Sequence, residues 1–374
     1  MWVKELRLTD FRSYPSVLLE LSEGITTFVG RNGQGKTNLV EAIGYAATLS
    51  SHRVSTDAPL VRTGADRAII GLNVVLPDRE CVIEIEINPG KANRARMNRA
   101  PATKARDVLG IVQSVLFAPE DLALVKGDPA ERRRFIDELL IQRAPRMAGV
   151  KADYERILKQ RNALLKSAGG ARRSAPDHLT STLDVWDEQA ATTGAELTAA
   201  RIALVAELSE RVTHAYEDIA GSAAGATISY SSAIQENTES TSRDEWRGWL
   251  LEAFRQKRRE ELDRGITLVG PQRDDLSMWV NSHPAKGFAS HGESWSFALA
   301  LRLASLAVLR EDGVEPILIL DDVFAELDTQ RRTHLIQQVL QSPQVLITAA
   351  VPEDIPSALG GNRVPVMLGQ VGHD

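Results

Sequence analysis

Apolar and polar positions alternate through much of the first hundred residues, the period expected of half-buried strands. VKELRL (3–8), VLLEL (17–21) and ITTFVG (25–30) read as strands, and an amphipathic helix follows from about Gly35 to Leu49. AIIGLNVVL (68–76) and CVIEIEI (81–87) are rich in β-branched residues, and the Pro-Asp between them marks a hairpin turn. SVLF, Ser114 to Phe117, is a short apolar strand ended by Ala118-Pro119.

From about Glu131 the period changes. Phe135 with Leu139 and Ile136 with Leu140 are i,i+4 pairs, and Tyr154, Ile157, Leu158 and Leu165 continue the stripe on a second helix. The loop AGGARRSAP (168–176) separates these from a third helical stretch carrying Leu197, Leu204, Leu208 and Val212. The polar run QENTESTSRD (235–244) precedes a helix starting near Arg243. Heptads are not sustained beyond a few turns, which argues against a long coiled-coil arm. After Gly265 strands return as ITLVG, LSMWV, PILIL and QVLIT. The last two are continuous apolar runs, suited to parallel strands buried on both faces. The pattern predicts an α/β fold: residues 1–126 and 265–374 form one domain, and residues 127–264 form an inserted helical subdomain.

Composition narrows the class without changing this outline. The chain has 374 residues, 43% hydrophobic and 25% charged, as in globular proteins. Its first residues lack the pattern of a signal peptide and no apolar run approaches a bilayer span, so a cytoplasmic protein with no membrane partner is expected. Cys81, the lone cysteine, reads as a buried thiol, and Cys and His form no ligand cluster. The net charge of -6 argues weakly against nucleic acid. Two stretches are locally basic: Lys91, Arg94, Arg96, Arg99, Lys104 and Arg106 without an acid among them, and Lys151 to Arg173. Each is either a solvated face or a phosphate-binding surface.

The chemistry sits in three places. Gly30-Arg31-Asn32-Gly33-Gln34-Gly35-Lys36-Thr37 fits G-x-x-x-x-G-K-[ST] between a strand and a helix, and Asn38 continues it. Glycines let backbone N–H groups converge on a phosphate at the positive helix end, Lys36 neutralises the β and γ phosphates of ATP, and the Thr37 hydroxyl suits Mg²⁺. ILILDD ends a buried strand in Asp321, a candidate Mg²⁺ ligand, and Asp322, a candidate for activating water. SHGESWSF opens an apolar helix with Ser290, Gly292 and Glu293 at its N-terminus, either an anion site or a plain cap.

A P-loop, Ser-x-Gly-Glu at a helix start, a strand ending in Asp-Asp and then AELD, with Asp328 in the D-loop position, is the order found in ABC-type ATPases. LRLTDFRSY, GRNGQGKTNLVEAI, SSHR, FAPEDLALVKGDPAERRRFID, GPQRDDL and DDVFAELD, spread from residue 6 to residue 328, resemble the RecF family within that class. The resemblance implies an ABC-type P-loop ATPase head that dimerises on ATP, with Ser290 of one subunit facing the γ-phosphate held by Lys36 of the other. It further implies binding of duplex and gapped DNA, slow DNA-stimulated ATP hydrolysis, and action with RecR and RecO to load RecA, in replication, repair and the SOS response.

The chain departs from the wider class at several points. Its signature reads Ser-His-Gly-Glu-Ser; Gln272 stands where a His is usual in RecF; Gln113 is a poor candidate for the Q-loop; and Thr348 occupies the place of the switch His. Arg12, Arg53 and Arg62 are candidates for nucleotide, DNA or structural contacts. Arg132 to Arg134 suit a solvated helix face equally well. Three rivals remain: another SMC-like DNA ATPase, the ATPase subunit of a transporter, and a nucleotide-gated scaffold with negligible hydrolysis.

Overall fold

The computed structural model describes residues 1–169, 177–220, 225–234, 240–367 and 369–372. In chain order the elements begin with β1 (Trp2–Phe11), β2 (Tyr14–Glu20), β3 (Gly24–Val29), α1 (Lys36–Thr48), β4 (Ala68–Val75), β5 (Glu80–Ile87), β6 (Arg94–Met97), β7 (Ala100–Pro101) and β8 (Ser114–Phe117). Five helices follow with one strand among them: α2 (Leu122–Lys126), α3 (Pro129–Arg143), α4 (Met147–Gly169), α5 (Asp177–Ala220), β9 (Ala226–Ser231) and α6 (Arg243–Arg264). The chain closes with β10 (Asp275–Val280), β11 (His283–Pro284), α7 (Ala285–Phe288), α8 (His291–Glu311), β12 (Ile317–Asp321), α9 (Thr329–Gln341), β13 (Gln344–Ala349), β14 (Asn362–Met367) and β15 (Gln370–Val371).

The chain divides into two compact units. The first comprises Met1–Lys126, Arg211–Ala226 and Ala285–Asp374, the second Gly127–Glu210 and Thr227–Pro284. The return to the first unit therefore falls at Ala285 and not at Gly265, because β10 and β11 join a sheet ordered β11-β10-β9.

The first unit holds two six-stranded sheets. One runs β2-β1-β4-β5-β6-β7 with antiparallel pairing. In β4, Ala68, Ile70, Leu72 and Val74 are buried and the residues between them half-exposed, as the alternating sequence requires. The other runs β15-β14-β3-β13-β12-β8, parallel except for the β14–β15 turn. Every residue of β12 and β13 is buried, which is why their sequences carry no polar alternation. Between the sheets α1 contributes Leu39, Val40, Ile43 and Tyr45 to a core shared with Leu6, Leu8, Phe28, Ile70, Ile319 and Leu346. Gln344 fastens the layers: its Nε2 donates to the Val3 carbonyl and its Oε1 accepts from the Val3 N–H, both at 2.8 Å.

In the second unit, buried ion pairs tie together segments distant in sequence. Arg161, fully buried, donates to Asp187 (2.7 Å) and Glu261 (2.5 Å), joining α4, α5 and α6. Arg201 does the same toward Asp137 of α3. ITLVG, read as a strand, is irregular chain. Its amides are taken by side chains instead: Thr267 N–H donates to Asn162 Oδ1 and Leu268 N–H to Glu261 Oε1, each at 2.8 Å, and Gly270 has φ +115°. The third helical stretch is one helix of 44 residues. The AGGARRSAP loop lies outside the described residues save for Ala168 and Gly169, as do Gln235 to Glu239 of the polar run.

Candidate nucleotide-binding site

The loop from Gly30 to Gly35 joins β3 to α1, and its glycines are there for space and handedness. A Cβ on Gly30 would lie 2.2 Å from the Val366 carbonyl oxygen, and Gly35 has φ +106°. The loop and the first turn of α1 are braced from β2 and from the segment after α1. Tyr14 Oη donates to the Gly35 carbonyl (3.2 Å), and Asn38 Nδ2 donates to Ser13 Oγ and its Oδ1 accepts from Arg53. Arg31, Asn32, Gly33 and Gln34 form the crest of the loop. Lys36 is only 3% exposed. Its ammonium reaches the Arg31 carbonyl at 3.4 Å and Asn32 Oδ1 at 3.5 Å, both long for hydrogen bonds, which leaves it fit for a stronger anionic partner.

The end of β12 supplies the acids. Asp321 Oδ1 accepts from Thr37 Oγ1 at 2.9 Å and from Thr348 Oγ1 at 2.6 Å. Burial pushes the Asp321 carboxyl up, but His52, Thr348 and Thr37 around it prevail and hold it below the ordinary value. Asp322 moves the other way: burial raises it, Lys36 opposes, and Asp321 adds to the rise. Adjacent carboxylates are thus divided between an ionised group suited to a cation and one with higher proton affinity. A cleft of about 280 Å³ beside them is lined by Asn32, Asp322, Phe324, Thr348 and Asp354.

These groups fit a magnesium nucleotide. Mg²⁺ takes oxygen ligands, usually one or two protein groups with phosphate and water completing its shell, and the Thr37 hydroxyl beside the ionised Asp321 offers that donor set. Among the described residues no cluster of three or more His, Cys, Asp or Glu forms a separate metal cage.

Two residues that sequence reasoning passed over stand behind the loop. Glu41, 1% exposed on α1, accepts from Arg12 Nε (2.8 Å) and NH2 (2.5 Å), from Ser51 Oγ (2.5 Å) and from Arg53 NH1 (3.5 Å). An acid on the apolar face of the helix after the P-loop was the available signal. Arg12 and Arg53 thereby have a structural partner. His52, held between Ser51 and Arg53, places Nε2 3.7 Å from Asp321 Oδ2.

At the start of α8, Ser290 and Glu293 form a reciprocal cap: Glu293 N–H donates to Ser290 Oγ (3.2 Å) and Ser290 N–H to Glu293 Oε2 (2.8 Å). Arg331 links this end to the D-loop position. It donates to the Gly292 carbonyl and to Ser296 Oγ, both at 2.9 Å, and pairs with Asp328, whose other carboxylate oxygen caps α9. The recorded hydrogen bonds of the Ser290 side chain and backbone stay within its own helix end.

The other basic candidates each have acidic or carbonyl partners of their own. Arg94 and Arg96 sit on β6 opposite Glu86 (3.9 Å) and Glu84 (3.6 Å) of the neighbouring strand, so the acid-free stretch in sequence meets acids across the sheet. Arg62 pairs with Asp10 (2.7 Å). Arg132 is bidentate on Asp275, Arg133 donates to the Asp274 carbonyl and Arg134 pairs with Glu131. Gln272 bonds Tyr154, and buried Gln113 accepts the Ile317 amide on its carbonyl.

Residues 2–358 match the model of the RecF/RecN/SMC N terminal domain. A protein from Streptomyces avermitilis, named DNA replication and repair protein RecF, is 57% identical over 372 residues that cover 99% of each chain. One of the same name from Frankia alni is 56% identical over 375 residues, again 99% of each chain. Among solved structures, the recombination mediator protein RecF-ATP in the RecFOR pathway aligns with TM-score 0.90 at 26% identity, covering 99% of this chain and 97% of that one. An Smc head domain from Pyrococcus furiosus, at TM-score 0.54 and 18% identity over 99% and 95% of the two chains, shares the fold.

Proposed function

The chain belongs to the RecF family, and on that premise we propose that it is an ATP-driven DNA replication and repair protein whose nucleotide state governs its hold on DNA. The hydrogen bond from Thr37 to Asp321 carries the reading, because it joins the phosphate loop to the acidic strand end in one site. Bound Mg²⁺ supplies charge neutralisation for the phosphates, and Thr37 and Asp321 are the residues that would hold it. The loop amides and Lys36 bind and orient the phosphates. Asp322, on the cleft wall, accepts a proton from the attacking water. Turnover is slow and DNA acts as its stimulus.

The Ser290 cap, backed by Arg331, presents a helix N-terminus suited to the γ-phosphate of a second subunit, which makes the active form an ATP-dependent homodimer. Its DNA contacts are to the phosphate backbone, and RecR, with RecO and RecA, are its partners in the cytoplasm. Among the described residues no helix is long and apolar enough to cross a membrane. Because Arg94 and Arg96 are partly neutralised by Glu86 and Glu84, modest affinity is expected, and contacts to the phosphate backbone make it fall with salt.

Light scattering with no nucleotide, ADP or ATP, each with and without duplex DNA, tests this for wild type and Lys36→Ala. A dimer present only with ATP, bound to DNA and lost in the variant is the expected result. A monomer in every condition would overturn the trans role of Ser290.

A further inference from the structure

Thr348 lies on β13, the strand between the P-loop strand β3 and the acidic strand β12, in register with Phe28 on one side and Asp321 on the other. Its side chain is buried, 2% exposed, and its hydroxyl makes two hydrogen bonds. The hydroxyl proton goes to Asp321 Oδ1 (2.6 Å), and the oxygen accepts the backbone N–H of Asp322 (2.9 Å). One hydroxyl therefore grips the carboxylate of the first acid and the main chain of the second.

That grip matters because of the backbone it holds. Asp322 has φ 50° and ψ 21°, a left-handed conformation uncommon outside glycine, although Asp and Asn adopt it more readily than other residues. It starts the tight turn Val323–Glu326, so the direction of its carboxylate depends on a conformation that the residue does not favour by itself. Asp321 Oδ1 also accepts from Thr37. A continuous chain of hydrogen bonds thus runs from the first turn of α1 through Asp321 and Thr348 to the amide of Asp322.

We infer that Thr348 is a positioning residue for ATP hydrolysis: it fixes the backbone of Asp322 and links it to the Thr37–Asp321 pair. The inference rests on the hydrolytic reading proposed above. It gives the place where a switch His was expected a different device, one that acts through its hydrogen bonds to Asp321 and to the Asp322 amide.

Thr348→Val keeps shape and loses the hydroxyl, and Thr348→Ser keeps the hydroxyl. In steady-state ATP hydrolysis the valine variant is expected to lose about 10- to 100-fold in kcat, the scale for an outer-shell partner, with KM within about twofold. The serine variant should recover most of that loss. Amide hydrogen exchange gives a readout independent of turnover: in nucleotide-free protein the Asp322 amide should exchange at least about tenfold faster in Thr348→Val and near the wild-type rate in Thr348→Ser. Unchanged kcat, a loss confined to KM, failure of serine to rescue, or unchanged Asp322 exchange would each overturn the role of Thr348. If wild type and Lys36→Ala alike show no hydrolysis, the proposed hydrolytic function itself falls, and the role of Thr348 in hydrolysis falls with it.

Discussion

Thr37 and Asp321 are 284 positions apart in the chain and 2.9 Å apart in space, hydroxyl to carboxylate. β3 and β12 flank β13 in one parallel sheet, so the helix after one strand and the tip of the other meet at the same edge. Under the proposed function the pair is where a divalent ion is held. Thr37→Val should bind a fluorescent ATP analogue in EDTA as wild type does, while the gain on adding Mg²⁺ should shrink at least about tenfold, the scale of a lost metal-site partner. An undiminished Mg²⁺ effect would remove Thr37 from the metal site.

Asp322→Asn retains a side chain that tolerates the left-handed backbone and removes the proton acceptor. ATP affinity should persist while kcat falls about 100-fold, within the range for general-base catalysis. Turnover near the wild-type rate would transfer the role to another group on the cleft wall.

Arg12 and Glu41 show how the loop is supported. Glu41 is a buried carboxylate whose bidentate partner is Arg12, and removing one member of such a pair costs about 3–5 kcal/mol. Arg12→Ala should therefore lower Tm by several degrees. Glu41→Gln in the same chain should restore part of the loss, because the buried charge, left with only the longer Arg53 ion pair, is gone. If calorimetry shows Arg12→Ala as stable as wild type, the buried pair does not support the fold.

Arg161 plays the corresponding part in the helical unit, with Asp187 and Glu261 as partners and the Phe254 ring 4.4 Å away. Arg161→Ala leaves the buried Glu261 carboxylate without its guanidinium partner, while Asp187 keeps Arg258, with a loss on the order of 3–5 kcal/mol. Limited proteolysis should then cut within residues 127–284 first. An unchanged cleavage pattern would contradict this.

Asp274, 2% exposed, accepts from Tyr230, and burial raises its carboxyl to about 6 from an ordinary 3.8. Between those values the folded chain keeps a proton that the unfolded chain has released. The stabilising contribution is therefore complete below the window and declines as pH rises through it, by about 3 kcal/mol in total. Asp274→Asn lacks the decline, so its stability relative to wild type should grow from pH 4 to pH 6. A constant difference across that range would show that the carboxyl titrates normally.

Features set by local chemistry are legible along the chain. The glycines of the P-loop, the continuous apolar runs of PILIL and QVLIT and the Ser290 cap are short-range patterns, each readable because strand burial, backbone handedness and helix capping act within a few residues. ITLVG misled for the same reason: its apolar period is that of a strand, but Asn162 and Glu261, far away in the chain, take its amides. Tertiary structure alone decided which charges neutralise which. The run with Arg94 and Arg96 contains no acid, yet Glu84 and Glu86 face it across the sheet, and Glu41 gathers Arg12, Ser51 and Arg53 about itself. Strand order set Thr348 beside Asp321, where its hydroxyl also reaches the Asp322 amide. A side chain's partner depends on distances that the folded chain sets, and no window of sequence contains both ends of those contacts.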